Sequence, residues 1–84
     1  MSTHMATAEE RLKRVVIDVL LIEDEEFVDA NGPDDISSWD SLAALMLAAG
    51  IEKEFGLAVP PDEMAMFNCI GDIRQFCRAK GIDV

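Results

Sequence analysis

Asp40 and Ser41 stand where a loop rich in acidic residues gives way to a long apolar segment. Aspartate is a favoured helix N-cap, because its carboxylate accepts hydrogen bonds from the free backbone N–H groups of the first turn. With Asp40 as the cap, Ser41 becomes the first helical residue and its hydroxyl stays available. A phosphate ester on that hydroxyl would face the positive end of the helix dipole. On position alone, a first-turn serine without a special function is the commoner case. The pattern of the helix that follows favours a functional role.

The segment from Ser41 to Phe55 has helical periodicity with two apolar faces instead of one. At about 100° per residue, one side carries Ala44, Leu47, Ala48, Ile51 and Phe55. The nearly opposite side carries Leu42, Leu45, Met46 and Ala49. A surface helix normally has a single apolar stripe. We therefore predict that the first face enters the core, and that the second is either a further packing face or a surface kept for a partner.

Helical patterns also occur at the beginning and the end of the chain. Thr7 and Glu10 have the spacing of a capping box, and apolar residues then recur at helical intervals to about Ile22. The turn-forming and acidic residues of 23–39 predict a long loop, a feature that is often functional. After the second helix, residues 62–67 are predicted to form a short helical turn.

Asn68 is predicted to cap a last helix that runs to about Lys80, with Gly81 at its C-terminal end. The sequence contains no strand pattern and no internal repeat. These elements predict an all-α fold, namely a small four-helix bundle of three main helices and one short helix, with a long loop between helices 1 and 2.

The 84 residues are half hydrophobic, which predicts one small domain with a compact core. Residues 1–4 are typical of a cloning remnant, so the domain is expected to cover residues 5–84. There is no run of about 18 apolar residues and no signal-peptide pattern, so we expect a cytoplasmic monomer without membrane contact. Cys69 and Cys77 would lie about 12 Å apart on a helix, too far for a disulfide, and are expected to be core residues in a reducing compartment.

Acidic residues dominate the charge, with 17 Asp and Glu against seven Lys and Arg and a net charge of −10. This balance argues against nucleic acid and favours basic partners. An EF-hand aligned on Gly32 would need carboxylates at Phe27 and Ser38, so no calcium loop is predicted. The only histidine is His4, which excludes a catalytic triad in the domain and leaves no metal site. Nothing predicts an enzyme.

The triplet Asp40-Ser41-Leu42 resembles the signature of acyl carrier proteins, and more broadly of carrier proteins in fatty-acid, polyketide and peptide biosynthesis. Further motifs of that family follow in order: acids before Phe-Gly, then an apolar residue with Pro, an acidic pair, and an apolar residue before a polar linker. They stand at Glu52-Lys53-Glu54-Phe55-Gly56, Val59-Pro60, Asp62-Glu63 and Phe67-Asn68-Cys69-Ile70. The resemblance covers nearly all of the chain beyond the first residues.

The resemblance implies that Ser41, flanked by Asp40, carries a covalent 4′-phosphopantetheine arm. It implies that the thiol of the arm holds acyl or aminoacyl groups as thioesters, and that the protein itself catalyses nothing. The implied partners are a phosphopantetheinyl transferase, a loading ligase or transferase, and a downstream synthase or transferase. The implied partner interface consists of Trp39, Leu42, Leu45, Met46 and Ala49.

Members that serve primary fatty-acid synthesis usually carry acids where this chain has Ala43 and Met46, and a smaller residue where it has Trp39. We therefore expect a more apolar interface than usual and a carrier for a dedicated pathway. The sequence leaves open whether the cargo is acyl or aminoacyl. A competing hypothesis is an unmodified acidic helical module that uses the same apolar face to bind a partner helix or groove.

Overall fold

The computed structural model describes residues 7–84, and these residues contain four α-helices and no strand. The helices are α1 (Ala8–Leu20), α2 (Ser41–Phe55), α3 (Pro61–Met64) and α4 (Ile70–Ala79). A short 3-10 helix, Asp24–Glu26, lies in the loop between α1 and α2. The predicted all-α bundle of three main helices and one short helix is confirmed. The expected cloning remnant, residues 1–4, lies outside the described residues.

The first helix begins at the predicted capping box and ends earlier than predicted. The Thr7 side chain accepts a hydrogen bond from the Glu10 backbone N–H, and the Glu10 carboxylate accepts one from the Thr7 backbone. Helix α1 stops at Leu20 instead of Ile22, because Leu21 adopts the left-handed conformation with φ 57° and ψ 45°. The Leu21 N–H still donates to the Ile17 carbonyl, which satisfies one of the free carbonyls at the helix end.

The last helix is capped differently from the prediction, since Asn68 does not serve as its cap. The N-cap residue is Cys69, which makes no side-chain hydrogen bond. Instead, the N–H groups of Ile70 and Gly71 donate to the carbonyls of Asn31 and Asp29, at 2.9 and 3.0 Å. The loop before α2 thus supplies the acceptors that a capping side chain would otherwise provide.

Arg74 ties the same loop to both α1 and α4. Its guanidinium forms ion pairs with Glu9 of α1 and with Asp29 of the loop, and it lies 5.6 Å from the centroid of the Phe27 ring. The hydrogen bond with Glu9 is the largest cause of the raised pKa of Arg74. Asp29 is therefore part of the fold as well as of the acidic surface.

The core face predicted for α2 is confirmed at its centre. Leu47 and Ile51 are fully buried, together with Val16 of α1 and Ile73 of α4. Gly50, a poor helix former inside α2, lies where α1 and α2 approach closely. A Cβ atom at this position would come within 2.9 Å of a methyl carbon of Val15. Glycine at this position costs about 1 kcal/mol of helix propensity relative to alanine. It also allows the two helices to pack closely.

Phe55 lies at the edge of the core and is only partly buried, in contrast to the full burial expected from the sequence. The Arg11 guanidinium lies 4.9 Å from its ring centroid and also binds Glu54. We expect Phe55→Ala to cost about 1–3 kcal/mol, less than the 3–5 kcal/mol typical of a buried Phe. Urea denaturation beside Leu47→Ala, which removes a fully buried side chain, would measure the difference. A greater loss for Phe55→Ala than for Leu47→Ala would contradict this placement.

Candidate functional site

The head of α2 has the predicted cap geometry. Asp40 is extended, with φ −109° and ψ −170°, and its Oδ1 atom accepts a hydrogen bond of 2.9 Å from the Ala43 backbone N–H. Ser41 is the first residue of the helix, and its side chain is exposed. Within residues 7–84 the Ser41 hydroxyl takes part in no hydrogen bond. The cap and the hydroxyl are therefore separate, and the hydroxyl is available for reaction.

The segment that leads into α2 is anchored on both the core and α1. Ile36 and Trp39 are buried, at 2% and 5% exposure. The Ser38 hydroxyl donates to the carbonyl of Leu20, the last residue of α1. Because these contacts hold Ile36, Ser38 and Trp39, the position of Ser41 is determined by the bundle and does not depend on a free loop.

Trp39 consequently departs from the predicted partner interface. Its side chain packs in the core, because the turn before Asp40 directs it inward. The other four residues of that prediction lie on the surface of α2. Leu42, Leu45 and Met46 are 65%, 56% and 49% exposed, and Ala49 is also exposed.

The two positions where acidic residues are usual differ in their surroundings. Ala43 is 7% exposed and belongs to the core, so it adds nothing to the outer surface. Met46 is exposed on the outer side of α2. The apolar character expected for the region around Ser41 therefore comes from Met46 together with Leu42 and Leu45. We refer to Leu42, Leu45, Met46 and Ala49 as the outer face of α2.

An open groove of about 410 Å³ begins beside Ser41 and extends toward α3. Its lining is mostly apolar and consists of Pro33, Trp39, Asp40, Ser41, Ala44, Met64, Ala65 and Phe67. No local sequence spacing links Pro33, Met64 or Phe67 with Ser41, so the groove could not be predicted from the sequence. The groove is open to solvent and lies directly beside the Ser41 side chain.

Other chemistry finds little support among residues 7–84. Burial raises the pKa of the Cys77 thiol, and both Cys69 and Cys77 are free. No group of three or more His, Cys, Asp or Glu side chains in the described residues is arranged to hold a metal ion. None of the described helices is long and apolar enough to cross a membrane.

Comparison with known proteins shows the family of the chain. A family profile described as "Phosphopantetheine attachment site" matches residues 10–77. Proteins named "Acyl carrier protein" from Bradyrhizobium sp. (strain ORS 278), Rhodopseudomonas palustris (strain TIE-1) and Nitrobacter hamburgensis are each 36% identical over 73 residues, which cover 86% of this chain and 91% of the relative. The chain belongs to the acyl carrier protein family.

As a member of that family, this acyl carrier protein is a carrier and not an enzyme. Its cofactor is phosphopantetheine, attached covalently to a serine. Family membership also implies contact with a phosphopantetheinyl transferase and with biosynthetic enzymes.

Proposed function

We propose that Ser41 is the serine that carries the phosphopantetheine arm. The region matched by the family profile contains three serines: Ser37, Ser38 and Ser41. The Ser38 hydroxyl is engaged with the Leu20 carbonyl, and Ser37 lies in a turn away from any helix N-terminus. Ser41 alone among the three combines an exposed, unbonded hydroxyl with the first turn of a helix and an adjoining apolar groove. This combination is the observation that carries the proposal.

The attachment reaction needs little from the carrier itself. The Ser41 Oγ atom attacks the phosphorus that bears the pantetheine in coenzyme A and loses its proton to a base of the transferase. The bond between the two phosphates of coenzyme A breaks, and 3′,5′-adenosine bisphosphate leaves. Backbone N–H groups of the first turn of α2 then face the new phosphodiester and favour its negative charge. When attached, the arm supplies a thiol that holds cargo as a thioester.

We infer that the protein, as one domain over residues 5–84 and as a monomer, carries acyl or aminoacyl groups for a dedicated pathway in the cytoplasm. Its specific partners would be a loading ligase or transferase and a downstream synthase or transferase. The exposed Met46, at a position where an acid is usual in primary fatty-acid synthesis, supports enzymes of its own.

Met46→Glu tests the dedicated interface. The new carboxylate would have to be desolvated in an apolar contact, so affinity for the cognate loading enzyme should fall about tenfold. Loop acids mainly steer encounter, so added salt should lower the association rate more than it raises the dissociation rate. Surface-binding kinetics of wild type, Met46→Glu and the isosteric control Met46→Gln would separate the charge from the shape. Unchanged affinity of Met46→Glu would show that the outer face of α2 does not meet this enzyme.

The intact mass of the wild-type chain, co-expressed with a phosphopantetheinyl transferase, tests the function as a whole. A carrier gains the mass of one phosphopantetheine group, and peptide mapping should place it on Ser41. A chain that stays at its unmodified mass with several transferases would favour the unmodified helical module, which would use the exposed Leu42 and Leu45 to bind a partner groove.

A further inference from the structure

Leu21 is unusual in both its backbone and its side chain. It is the only residue other than glycine with a positive φ in the described chain, at 57°. The left-handed region is disfavoured for residues with a Cβ, and glycine or asparagine is usual where a helix ends in this way. The side chain is 85% exposed and thus gains little from folding. Neither property explains a leucine at this position through the stability of the fold.

Leu21 lies at the same end of the bundle as Ser41. The carbonyl of Leu20 accepts a hydrogen bond from the Ser38 hydroxyl, and Ser38 precedes Ser41 by three residues. Three residues span at most about 11 Å. A standard protein interface covers about 800 Å² on each partner, which corresponds to a disc about 16 Å in radius. A protein that covers the Ser41 hydroxyl therefore lies close to the end of α1, and its contact surface can extend to Leu21.

We propose that Leu21 is a docking residue for the phosphopantetheinyl transferase, inserted into an apolar pocket of that enzyme. This inference rests on the proposed attachment at Ser41. Among the enzymes that use a carrier, the transferase must bring its reacting phosphorus to bonding distance of Ser41 Oγ, so its surface has to cover this end of the bundle. Enzymes that act later reach the cargo through the arm and can remain farther from Leu21.

The charges around this end restrict what can cover it. Asp34, Asp35 and Asp40 are exposed, and they form no ion pair with another described residue. A second copy of the chain, with its net charge of −10, would be repelled, as would an anionic membrane surface. The matching surface is an apolar pocket with lysine or arginine at its border, and the proposal requires such a pocket on the transferase.

The test is steady-state modification of the apo protein, using coenzyme A and a transferase that modifies the wild-type chain. For Leu21→Gly and Leu21→Asn, which both suit the left-handed backbone, we expect KM for the carrier to rise about tenfold, the equivalent of one lost leucine contact. The kcat value should stay within about twofold, because no reacting group is touched. Leu21→Met keeps an apolar side chain and should retain most of the activity.

Val28→Ala is the matched control. Val28 is also an exposed apolar residue, with 45% of its surface accessible, but it lies far from Leu21. Its neighbour Asp29 is linked through Arg74 to Glu9. Glu9 is in the first turn of α1, and Leu21 follows the last turn. The KM of Val28→Ala should not change. Thermal melting of Leu21→Gly should match or exceed that of wild type, since strain is relieved.

The possible results distinguish this inference from the function on which it rests. Absence of modification in the wild type would overturn the carrier assignment of Ser41. A modified wild type with unchanged KM in both Leu21→Gly and Leu21→Asn would overturn the docking role alone. A clearly lower melting temperature for Leu21→Gly would overturn it too, because the leucine would then serve the fold.

Discussion

Replacing Ser41 by alanine is expected to abolish phosphopantetheine attachment and to leave the fold nearly intact. The modification is lost because no other described serine has an exposed, unbonded hydroxyl in the first turn of a helix. The fold is preserved because the Asp40 carboxylate supplies the cap and alanine is a good helix former, so stability should change by less than about 1 kcal/mol. Labelling with a fluorescent coenzyme A analogue, combined with intact mass, gives the first readout, and urea denaturation gives the second.

Ser38→Ala is the control for this experiment. It removes the hydroxyl that binds the Leu20 carbonyl, so it should cost about 1 kcal/mol and still permit labelling. Ser41 should thus be needed for modification and not for stability, whereas Ser38 should be needed for stability and not for modification. Equal labelling of Ser41→Ala and wild type would exclude Ser41 as the attachment residue, whereas a large loss of stability would show that its hydroxyl serves the fold.

Gly32→Ala is expected to destabilise the fold strongly, and more than Gly50→Ala, although each substitution adds one methyl group. A Cβ atom at Gly32 would lie 2.1 Å from the backbone oxygen of Asn68, and backbone cannot rotate away as a side chain can. The loop would have to leave α4 and give up the hydrogen bonds from Ile70 and Gly71 to the loop carbonyls. Two backbone donors without partners, one on the buried Ile70 and one on the partly buried Gly71, cost about 2–6 kcal/mol, a large part of the stability of a small domain.

Gly50→Ala provides the comparison, because it adds the same methyl group against a different neighbour. The nearest atom is a side-chain methyl carbon of Val15 at 2.9 Å, and the gain in helix propensity offsets part of the clash. We expect Gly50→Ala to change stability by less than half as much as Gly32→Ala in chemical denaturation. A mild effect of Gly32→Ala would mean that the loop is not closely packed on α4.

If the arm is attached at Ser41 and the transferase docks at Leu21, the two ends of the α1–α2 pair have different functions. At one end, Arg11 holds Glu54 and lies over Phe55, so that end contributes to stability. At the other end, Leu21 and Leu42 are exposed, and the segment before Asp40 is fixed by Ser38. The reactive end thus carries apolar side chains that the fold does not bury.

Features that depend on neighbours in the chain were determined by the sequence itself. The caps at Thr7 and Asp40 each involve partners three residues away, and the burial of Leu47 and Ile51 follows from helical periodicity. Such contacts form within one or two turns, so residue type and spacing are sufficient to predict them. The family motifs beginning at Asp40 are equally local, which is why the resemblance to the family was visible in the sequence.

Only the tertiary structure decided the features that depend on distant segments. The cap of α4 comes from loop carbonyls about 40 residues earlier, so Asn68 offered a plausible but incorrect local alternative. Trp39 is buried in the core and Phe55 lies at its edge, because burial depends on which other elements cover a side chain. Helical periodicity predicts only the direction in which a side chain points. The groove at Ser41 and the exposed Leu21 arise in the same way, from the meeting of segments that no short sequence pattern connects.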